Sequence, residues 1–237
     1  MKIKVLYEDS NILAIDKPSG ISVHADGRSK AKTIADWILK NHPKMKNVGE
    51  DEVYENKNIK TEIKKPGIVH RLDRETSGVL LLAKNEKTYQ FLKQQFKDRA
   101  VKKTYIAIVN GHLKNDRGII NNPIGRSPTD FRRYLAGRGA RGEMREALTE
   151  YTVLKRIPKF TIVEVRPKTG RTHQIRVHMK YLNHPVACDA LYNPGAACPK
   201  GIKRLALHAR SIEFKEPKGK VIKIESKIPP AFEKLMK

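Results

Sequence analysis

The chain has 237 residues, of which 39% are hydrophobic, so it can bury a core and global disorder is not expected. It carries 49 lysines and arginines against 25 aspartates and glutamates, a net charge of +24. An excess of this size favours a polyanionic partner, with nucleic acid as the first hypothesis and an anionic membrane surface as the second. The alternative is a lysine-rich proteome that raises the charge of every protein, which would explain scattered lysines better than clustered arginines.

The compartment follows from three sequence features. No apolar run reaches the roughly 18–20 residues that a membrane-spanning helix needs. The N-terminus, MKIKVLYEDSNILAIDKPSG, carries acidic residues and alternates like a strand, unlike a signal peptide. Cys188 and Cys198 form no CxxC motif and do not suggest a secreted disulfide scaffold. We therefore expect a cytoplasmic protein.

The first part of the chain is predicted to pair two strands before a helix. Residues 3–7 and 11–16 have the alternation and the turn residues of a strand pair. The stretch TIADWILKNH, residues 33–42, has helical spacing with Thr33 as its cap. Residues 43–66 are polar, lysine-rich and poor in pattern, which predicts a long exposed insertion.

The rest of the chain is predicted to contain more strands than helices. In order, the predicted elements are a buried strand after Gly78, a helix at 86–99, a strand at 102–111, a long basic connection at 121–147, an antiparallel hairpin at 149–157 and 160–167, a helix at 171–183, strands at 205–214 and 221–226, and a short helix at 229–237. Runs of strands without strict strand–helix alternation favour an α+β fold with a mixed, largely antiparallel central sheet and flanking helices. No linker or repeat divides the sequence, so a single domain over residues 1–237 is expected.

The stretch GIVHRLDRETSGVLLLAK places one acid, Asp73, between Arg71 and Arg74. A nucleophilic or basic carboxylate must be ionised and reachable, and neighbouring guanidinium groups favour its charged form. The small residues that follow would expose such a side chain at the end of a buried strand. The alternative is an ordinary Arg–Asp pair that fastens a loop, and spacing alone favours that alternative.

A second polar stretch is KTGRTHQIRVHMKYLNHPVACD, in which Gly170 and Thr172 predict a helix start. His173, Arg176 and Lys180 share one face of the predicted helix, opposite an apolar stripe. Such a stripe either lines a cleft or forms a solvated helix face. The spacing by itself favours the solvated face.

Aromatic residues next to cations offer a third indication of chemistry. Tyr105 lies in a predicted strand directly after two lysines, where it either belongs to the core or stacks on a nucleic-acid base. Phe131 and Tyr134 lie in a glycine-containing segment rich in arginine, which suits phosphate binding and base stacking better than lysine. We expect this segment to be a mobile loop that contacts nucleic acid. Its arginines are Arg126, Arg132, Arg133, Arg138, Arg141 and Arg145.

Metal and nucleotide sites are not predicted. His173 and His178 are five residues apart, whereas the HExxH arrangement needs four, and the two cysteines have no second pair. The sequence contains no GxxxxGK[ST] and no GxGxxG after a strand. Spacing leaves a Ser-His-Asp triad open, although no GxSxG elbow is present. We expect no cofactor and no metal.

Taken together, the motifs resemble one enzyme family. HRLDRETSGVLLLAK is similar to the catalytic motif of the RluA-type pseudouridine synthases, and GRTHQIRVHMKYLNHPVACDALY is similar to the second long motif of that family. KKTYIAIVNG and the opening YEDSNILAIDKPSGISVH also match, so the resemblance runs from about residue 3 to the C-terminus. It implies the pseudouridine synthase fold with a catalytic cleft, and conversion of uridine in RNA to pseudouridine.

The resemblance also implies a role for individual residues. Asp73 would be the nucleophile, Tyr105 would pack on the target uracil, and Arg176 would pair with the aspartate. Arg71 would push the base out of the RNA stack or take its place. The residues expected to bind RNA are Arg71, Arg74, Arg132, Arg133, Arg138, Arg171 and His173.

One departure concerns RNA binding, because many relatives begin with a small ribosomal-protein-like RNA-binding domain. This chain begins directly at the catalytic strands, so we expect no such domain, and RNA binding would come from the basic surface of the catalytic domain. The expected partner is ribosomal or transfer RNA, with a compact transfer-RNA stem-loop slightly favoured, and the expected state is a monomer with no membrane and no nucleotide cofactor.

Two other function classes compete with a uridine isomerase. The first is a non-catalytic RNA-binding protein or assembly factor, which would be expected to lose at least one of Asp73, Tyr105 and Arg176. The second is a DNA-binding regulator, which would need a recognition-helix motif that the sequence does not contain.

Overall fold

The computed structural model describes residues 1–25, 31–56, 59–217 and 219–237. Its strands are β1 (Lys4–Glu8), β2 (Ile12–Lys17), β3 (Glu52–Asn56), β4 (Ile59–Ile63), β5 (Ser77–Ala83), β6 (Lys102–Asn110), β7 (Arg117–Asn121), β8 (Ile124–Arg126), β9 (Tyr134–Ala136), β10 (Arg141–Arg145), β11 (Leu148–Ile157), β12 (Phe160–Pro167), β13 (Leu207–Lys215) and β14 (Val221–Glu225). Its α-helices are α1 (Ile34–Asn41), α2 (Glu86–Lys97), α3 (Gln174–Tyr181) and α4 (Pro230–Met236).

The elements form two compact units. The first comprises Met1–Val101 and Ser211–Ser226, and the second comprises Lys102–Arg210 and Lys227–Lys237. Because the chain returns to each unit, neither is a single continuous segment. The expectation of one catalytic domain over the whole chain stays a prediction.

Antiparallel strands form the centre of the first unit. β2 pairs with β1 on one side and with β5 on the other, and Lys17 lies opposite Gly78 in the second pair. Every residue of β5 is buried, as expected for a strand covered on both faces. The predicted strand pair at the N-terminus and the predicted buried strand after Gly78 are confirmed.

The two helices of this unit begin where side chains cap them. The Thr33 hydroxyl accepts from the backbone N–H of Asp36, and the Asp36 carboxylate accepts from the Thr33 N–H at 2.7 Å, which makes a reciprocal capping box. At α2, the Asn85 side chain accepts from the Thr88 N–H at 3.0 Å. Both helices were predicted, and each buries apolar side chains such as Ile38 of α1 and Leu92 of α2.

The segment predicted as a patternless insertion, residues 43–66, is structured where it is described. It contains a short 3-10 helix at Pro43–Met45 and the antiparallel hairpin of β3 and β4. Met45, Val48 and Ile63 are buried, so the segment contributes apolar side chains to the unit. The prediction failed because these apolar residues are too widely separated to show a helical or strand period; residues 57–58 of the segment lie outside the described residues.

The second unit is built on four antiparallel strands in the order β6, β12, β11 and β7. Its main apolar cluster includes Ile108 and Val163 from the strands, Met179 from α3 and Phe232 from α4. The predicted hairpin of β11 and β12 is confirmed. Strands in runs with helices packed on them make the fold α+β with a largely antiparallel sheet, as predicted.

A second sheet in this unit corrects the prediction of a long connection at residues 121–147. β8 pairs with β10 on one side and β9 on the other, so the segment is a small three-stranded antiparallel sheet. Ile124 is buried with Val177 of α3 and Tyr192 in a separate apolar cluster. The strands are three to five residues long and rich in arginine and glycine, which hides the strand period in the sequence.

Candidate functional site

Asp73 lies in the loop that leads into β5 of the first unit. The backbone N–H of Thr76 donates to the carbonyl of Asp73 at 3.1 Å, which closes a turn over Arg74 and Glu75. Asp73 is partly buried, and Leu72 beside it is buried. The turn places Asp73 in the loop just before β5, and a reachable carboxylate at this position stays a prediction.

A buried lysine holds this loop. Lys17 at the end of β2 is fully buried, and its Nζ donates to the carbonyls of Pro18, Ile21 and Arg74 at 2.9, 2.8 and 3.0 Å. An ammonium group has three donors, so these carbonyls can compensate its desolvation. The contact with Arg74 fixes the backbone one residue after Asp73. Sequence reasoning assigned no role to Lys17, although it lies inside a motif that supported the family resemblance.

Arg74 fastens the same two loops together. Its Nε donates to the Gly20 carbonyl at 3.1 Å, and its own carbonyl accepts from the Gly20 N–H at 2.9 Å. The Ser19 hydroxyl adds a bond to the Glu75 carbonyl at 2.6 Å. Arg74 thus has a structural role that the sequence did not reveal, and its contact with RNA stays a prediction. Arg71 is exposed, and its contact with RNA is likewise untested.

In the second unit, Tyr105 lies in β6 opposite Val165 of β12 and is partly buried. Lys103 precedes it by two residues, so both side chains are on the same side of the strand. The Lys103 Nζ donates to the Thr169 carbonyl at 3.3 Å. Burial lowers the pKa of Lys103 to about 8, because the charged form is poorly solvated there.

Arg176 of α3 is buried, with 7% of its surface exposed. Its Nε and Nη2 donate to the two carboxylate oxygens of Asp189 at 2.7 and 2.8 Å, a bidentate pair. The guanidinium carbon also lies 5.0 Å from the centre of the Tyr192 ring. The solvated helix face favoured by spacing is therefore wrong for this residue.

Asp189 is the partner of a predicted site residue, Arg176, and sequence reasoning missed it. Burial alone would raise its pKa, but hydrogen bonding and charge attraction from Arg176 outweigh burial and hold the pKa below its ordinary value. The backbone N–H groups of Leu191 and Tyr192 donate to the same carboxylate at 3.0 Å and add to this lowering. The predicted pairing of Arg176 with Asp73 joins residues of different units and stays a prediction.

The start of α3 differs by a few residues from the predicted helix at 171–183. The helix begins at Gln174, because His173 adopts a left-handed conformation with φ of 56°. The side-chain Oε1 of Gln174 accepts from the Thr169 hydroxyl and from the Arg171 backbone N–H at 2.7 and 2.9 Å. The turn before α3 is therefore held by a buried glutamine that the sequence did not single out.

His173 and Arg171 both contact neighbours in the second unit. The His173 Nδ1 lies 3.0 Å from the Tyr192 hydroxyl, and the Arg171 Nε donates to the Glu146 carbonyl at 2.9 Å. Because Tyr192 also contacts Arg176, the predicted site residues His173 and Arg176 share one aromatic neighbour. The RNA contacts predicted for Arg171 and His173 are untested.

The three arginines in the loops on either side of β9, Arg132, Arg133 and Arg138, differ in their contacts. Arg132 forms a bidentate pair with Asp130 at 3.0 and 2.9 Å, and Arg133 lies 3.4 Å from the same carboxylate. The hydrogen bonds from Arg132 lower the pKa of Asp130 to about 2. Arg138 is exposed. Two of the three arginines predicted from this segment to bind RNA thus share a carboxylate, a local arrangement that spacing did not predict.

Two features of the described residues bear on other kinds of site. Across residues 1–25, 31–56, 59–217 and 219–237, no group of three or more histidines, cysteines, aspartates or glutamates is placed to hold a metal ion. In the same ranges, no helix is both long and apolar enough to cross a bilayer. Cys188 and Cys198 form a disulfide bond in the second unit, which the sequence did not predict.

The motifs and the fold agree with known proteins. A family model described as RNA pseudouridylate synthase matches residues 11–181. The ribosomal large subunit pseudouridine synthase D of Borreliella burgdorferi is 38% identical over 97% of this chain and 66% of its own length. An uncharacterized RNA pseudouridine synthase of Aquifex aeolicus is 37% identical over 97% of this chain and 71% of its own length. The chain thus spans about two thirds of the length of these relatives.

A solved structure supports the fold. The human RNA pseudouridylate synthase domain containing 1 superposes with a TM-score of 0.73, covering 96% of this chain and 84% of that one, at 24% identity. At this identity the likeness concerns the fold alone. The predicted fold class is confirmed.

Proposed function

Because this chain belongs to the RluA-type family of RNA pseudouridine synthases, which are isomerases that act on RNA, we propose that it converts specific uridines of ribosomal or transfer RNA to pseudouridine. The observation that carries the proposal is the extent of the family match. It covers residues 11–181, which include Asp73, Tyr105 and Arg176. The name of the Borreliella relative makes large-subunit ribosomal RNA the first substrate to test.

The reaction is an isomerisation, because the nucleotide keeps the same atoms and only the bond between base and sugar changes. The bond between N1 of uracil and C1′ of ribose breaks, and a bond from C5 of uracil to C1′ forms. The proton leaves C5 and N1 gains one, so the reaction needs no oxidant or reductant. The target uridine must first leave the RNA stack, at a cost of a few kcal/mol.

In this proposal Asp73 is the nucleophile at the target nucleotide. The hydrogen bonds of Lys17 and Arg74 that hold the loop of Asp73 support the assignment, because a nucleophile has to be held close to one geometry. Tyr105 packs on the uracil and is a candidate for proton transfer. Arg176 pairs with Asp73, and Arg71 occupies the gap that the flipped base leaves in the RNA.

RNA binding is assigned to the basic surface of the same chain. The proposed contacts with RNA are Arg71, Arg74, Arg132, Arg133, Arg138, Arg171 and His173. The net charge of +24 supports this assignment, because it favours a polyanion. The proposal places the protein in the cytoplasm as a monomer.

The test is Asp73→Asn in the full chain. We expect the variant to form no pseudouridine and to bind RNA nearly as well as the wild type, because the amide keeps the shape but loses the nucleophilic charge. Pseudouridine is measured in an unmodified transcript of large-subunit ribosomal RNA and in total RNA from a deletion strain. The deletion strain identifies the positions and shows whether the lost pseudouridines lie in ribosomal or transfer RNA.

Glu75→Gln is the matched control, since it removes the other carboxylate of the same turn. It should retain turnover. Turnover by Asp73→Asn would contradict the assignment of the nucleophile. A wild-type chain that binds RNA, and whose deletion removes no pseudouridine, would instead be a binding protein or assembly factor.

A further inference from the structure

Two arginines face each other in the small sheet of the second unit. Arg126 of β8 lies directly opposite Arg141 of β10 in the antiparallel register. Like charges at opposite positions destabilise a strand pair. A fold that keeps such a pair without a local counter-ion carries a cost, and costs of this kind are concentrated at functional sites.

The structure gives these two side chains little compensation. The guanidinium carbon of Arg126 lies 5.3 Å from the centre of the Tyr134 ring, and its Nη1 makes a long bond of 3.4 Å to the Phe131 carbonyl. The Arg141 side chain has no hydrogen-bond or ion-pair partner among the described residues. Neither arginine has a carboxylate partner in the part of the chain that the structure describes.

Both arginines border one cleft of about 340 Å³. We call it the arginine cleft; its charged and aromatic lining residues are Arg126, Arg141, Arg145, Arg171, Tyr134 and Glu143. Four guanidinium groups against one carboxylate leave an excess of three positive charges. Glu143 bonds to Arg145 at 3.2 Å, but its side chain is 75% exposed and that of Arg145 is 62% exposed. Exposed pairs of this kind contribute little, so an anion can displace Glu143.

Glycines keep the strands of the cleft close and its surface open. A Cβ at Gly125 would lie 2.6 Å from the Met144 sulfur and 2.9 Å from the Ala140 Cβ, so a larger residue at this position would require the segment at 140–144 to shift. Gly142 has a φ of 75°, a conformation that glycine adopts without strain. The short side chains leave the guanidinium groups as the main features of the cleft.

We propose that the arginine cleft binds backbone phosphates of the RNA, an inference that rests on the proposed function. Guanidinium groups match phosphate with two parallel hydrogen bonds. A phosphate between Arg126 and Arg141 would remove their repulsion. Three of the four arginines are exposed, which suits a polymer lying across the surface, whereas small-molecule sites bury about 70–90% of their ligand.

Among the arginines of the segment that the sequence predicted to contact nucleic acid, the structure therefore favours Arg126, Arg141 and Arg145 over Arg132 and Arg133 for phosphate binding. Arg132 and Arg133 share the Asp130 carboxylate, whereas Arg126 and Arg141 have only each other, a ring and a carbonyl. Charge that a neighbouring carboxylate neutralises contributes less to counter-ion release. The arginine cleft has a larger uncompensated positive charge than the cluster of Arg132 and Arg133 around Asp130.

The test is Arg141→Gln, measured in the Asp73→Asn background so that no turnover occurs. The probe is a labelled oligouridine, and the affinity is followed by fluorescence anisotropy over about 50–200 mM salt. We expect severalfold weaker binding and a salt dependence whose slope falls by about 0.7, the loss of one phosphate contact in a single strand. The free energy of unfolding should stay the same or rise, because a repulsion is removed.

Arg117→Gln is the matched control, since Arg117 is an exposed strand arginine of the same unit that does not line the cleft. It removes the same charge and should leave the slope nearly unchanged. Equal slopes for the two variants would overturn the proposal. A larger loss of stability in Arg141→Gln than in Arg117→Gln would overturn the argument from repulsion.

A second arm distinguishes a free nucleotide from the RNA backbone. If Arg141→Gln abolishes the binding of uridine monophosphate but leaves the oligouridine slope unchanged, the cleft is a small-molecule site and the proposal is wrong. Failure of the proposed function is recognised separately. In that case the wild type forms no pseudouridine but still binds oligouridine through the cleft. If the wild type forms pseudouridine but Arg141→Gln leaves the salt-dependence slope unchanged, the proposed function stands and only the proposal for the arginine cleft is wrong.

Discussion

At the scale of single residues, the state of Arg176 depends on a residue that no local pattern points to. A buried guanidinium loses its hydration, and Asp189 offsets that loss with two short hydrogen bonds. Two backbone N–H groups hold the carboxylate in turn. Asp189 thus acts as a positioning residue, since it sets the place and the charge environment of Arg176.

We expect Asp189→Asn to destabilise the protein by about 3 kcal/mol, because removing one charge of a buried pair leaves the other uncompensated. The free energy of unfolding is measured by urea denaturation near neutral pH. Asp116→Asn is the control, since Asp116 forms a pair with Arg156 at 2.7 Å but is 79% exposed. That variant should lose less than about 1 kcal/mol. Similar losses in both variants would show that burial of the Arg176 pair has no special weight.

At the scale of elements, side chains at the ends decide where the helices of the first unit begin. In α1 the capping box satisfies donors that an isolated helix end would leave unpaired. The small sheet of the second unit shows the opposite case, because its short strands form through pairing with β8 more than through their own pattern. Local signals therefore predicted the helix and missed the sheet.

Thr33→Ala should cost about 1 kcal/mol of stability, because the Asp36 N–H loses its acceptor. Thr33→Ser keeps the hydroxyl and should lose clearly less. Both are compared with the wild type by urea denaturation. If the two substitutions cost the same, the buried methyl group of Thr33, and not the cap, provides the stabilisation.

At the scale of the whole molecule, the stability of this basic protein depends on pH through Lys103, whose charged form is desolvated by burial. Lys103 has a pKa of about 8 in the folded chain, below the value of about 10.4 for an unfolded lysine. Between these two values the unfolded chain binds more protons, so the Lys103 contribution to stability rises with pH. Below about pH 8 the cost of burying the charged group is fully present.

We expect Lys103→Met to stabilise the protein on the order of 1–3 kcal/mol at pH 7, since it removes that cost. The advantage over the wild type should shrink as the pH rises from 8 towards 10, where the wild-type lysine is neutral in the folded chain. Urea denaturation of both proteins across this range provides the measurement. A difference that does not change with pH would mean that lost or gained packing, and not charge, accounts for the effect.

Sequence alone determined the features that depend on near neighbours. Thr33 and Asp36 cap α1 from three residues apart, and the alternating pattern predicted β11 and β12 with their hairpin. The motifs around Asp73 and Arg176 also identified the family, which the comparisons confirm. These inferences succeed because periodicity, capping and motif spacing are written in consecutive residues.

Only the tertiary structure decided which side chains meet across long stretches of chain. Lys17 reaches the Arg74 carbonyl 57 residues away, and Arg176 finds Asp189 beyond the end of its own helix. The register of β8 and β10 brings Arg126 opposite Arg141, and these strands are too short for an alternating sequence pattern to predict them. Strand register and loop path set these distances, and a single sequence records neither, so the partner of each buried or repelled charge appears only in the folded chain.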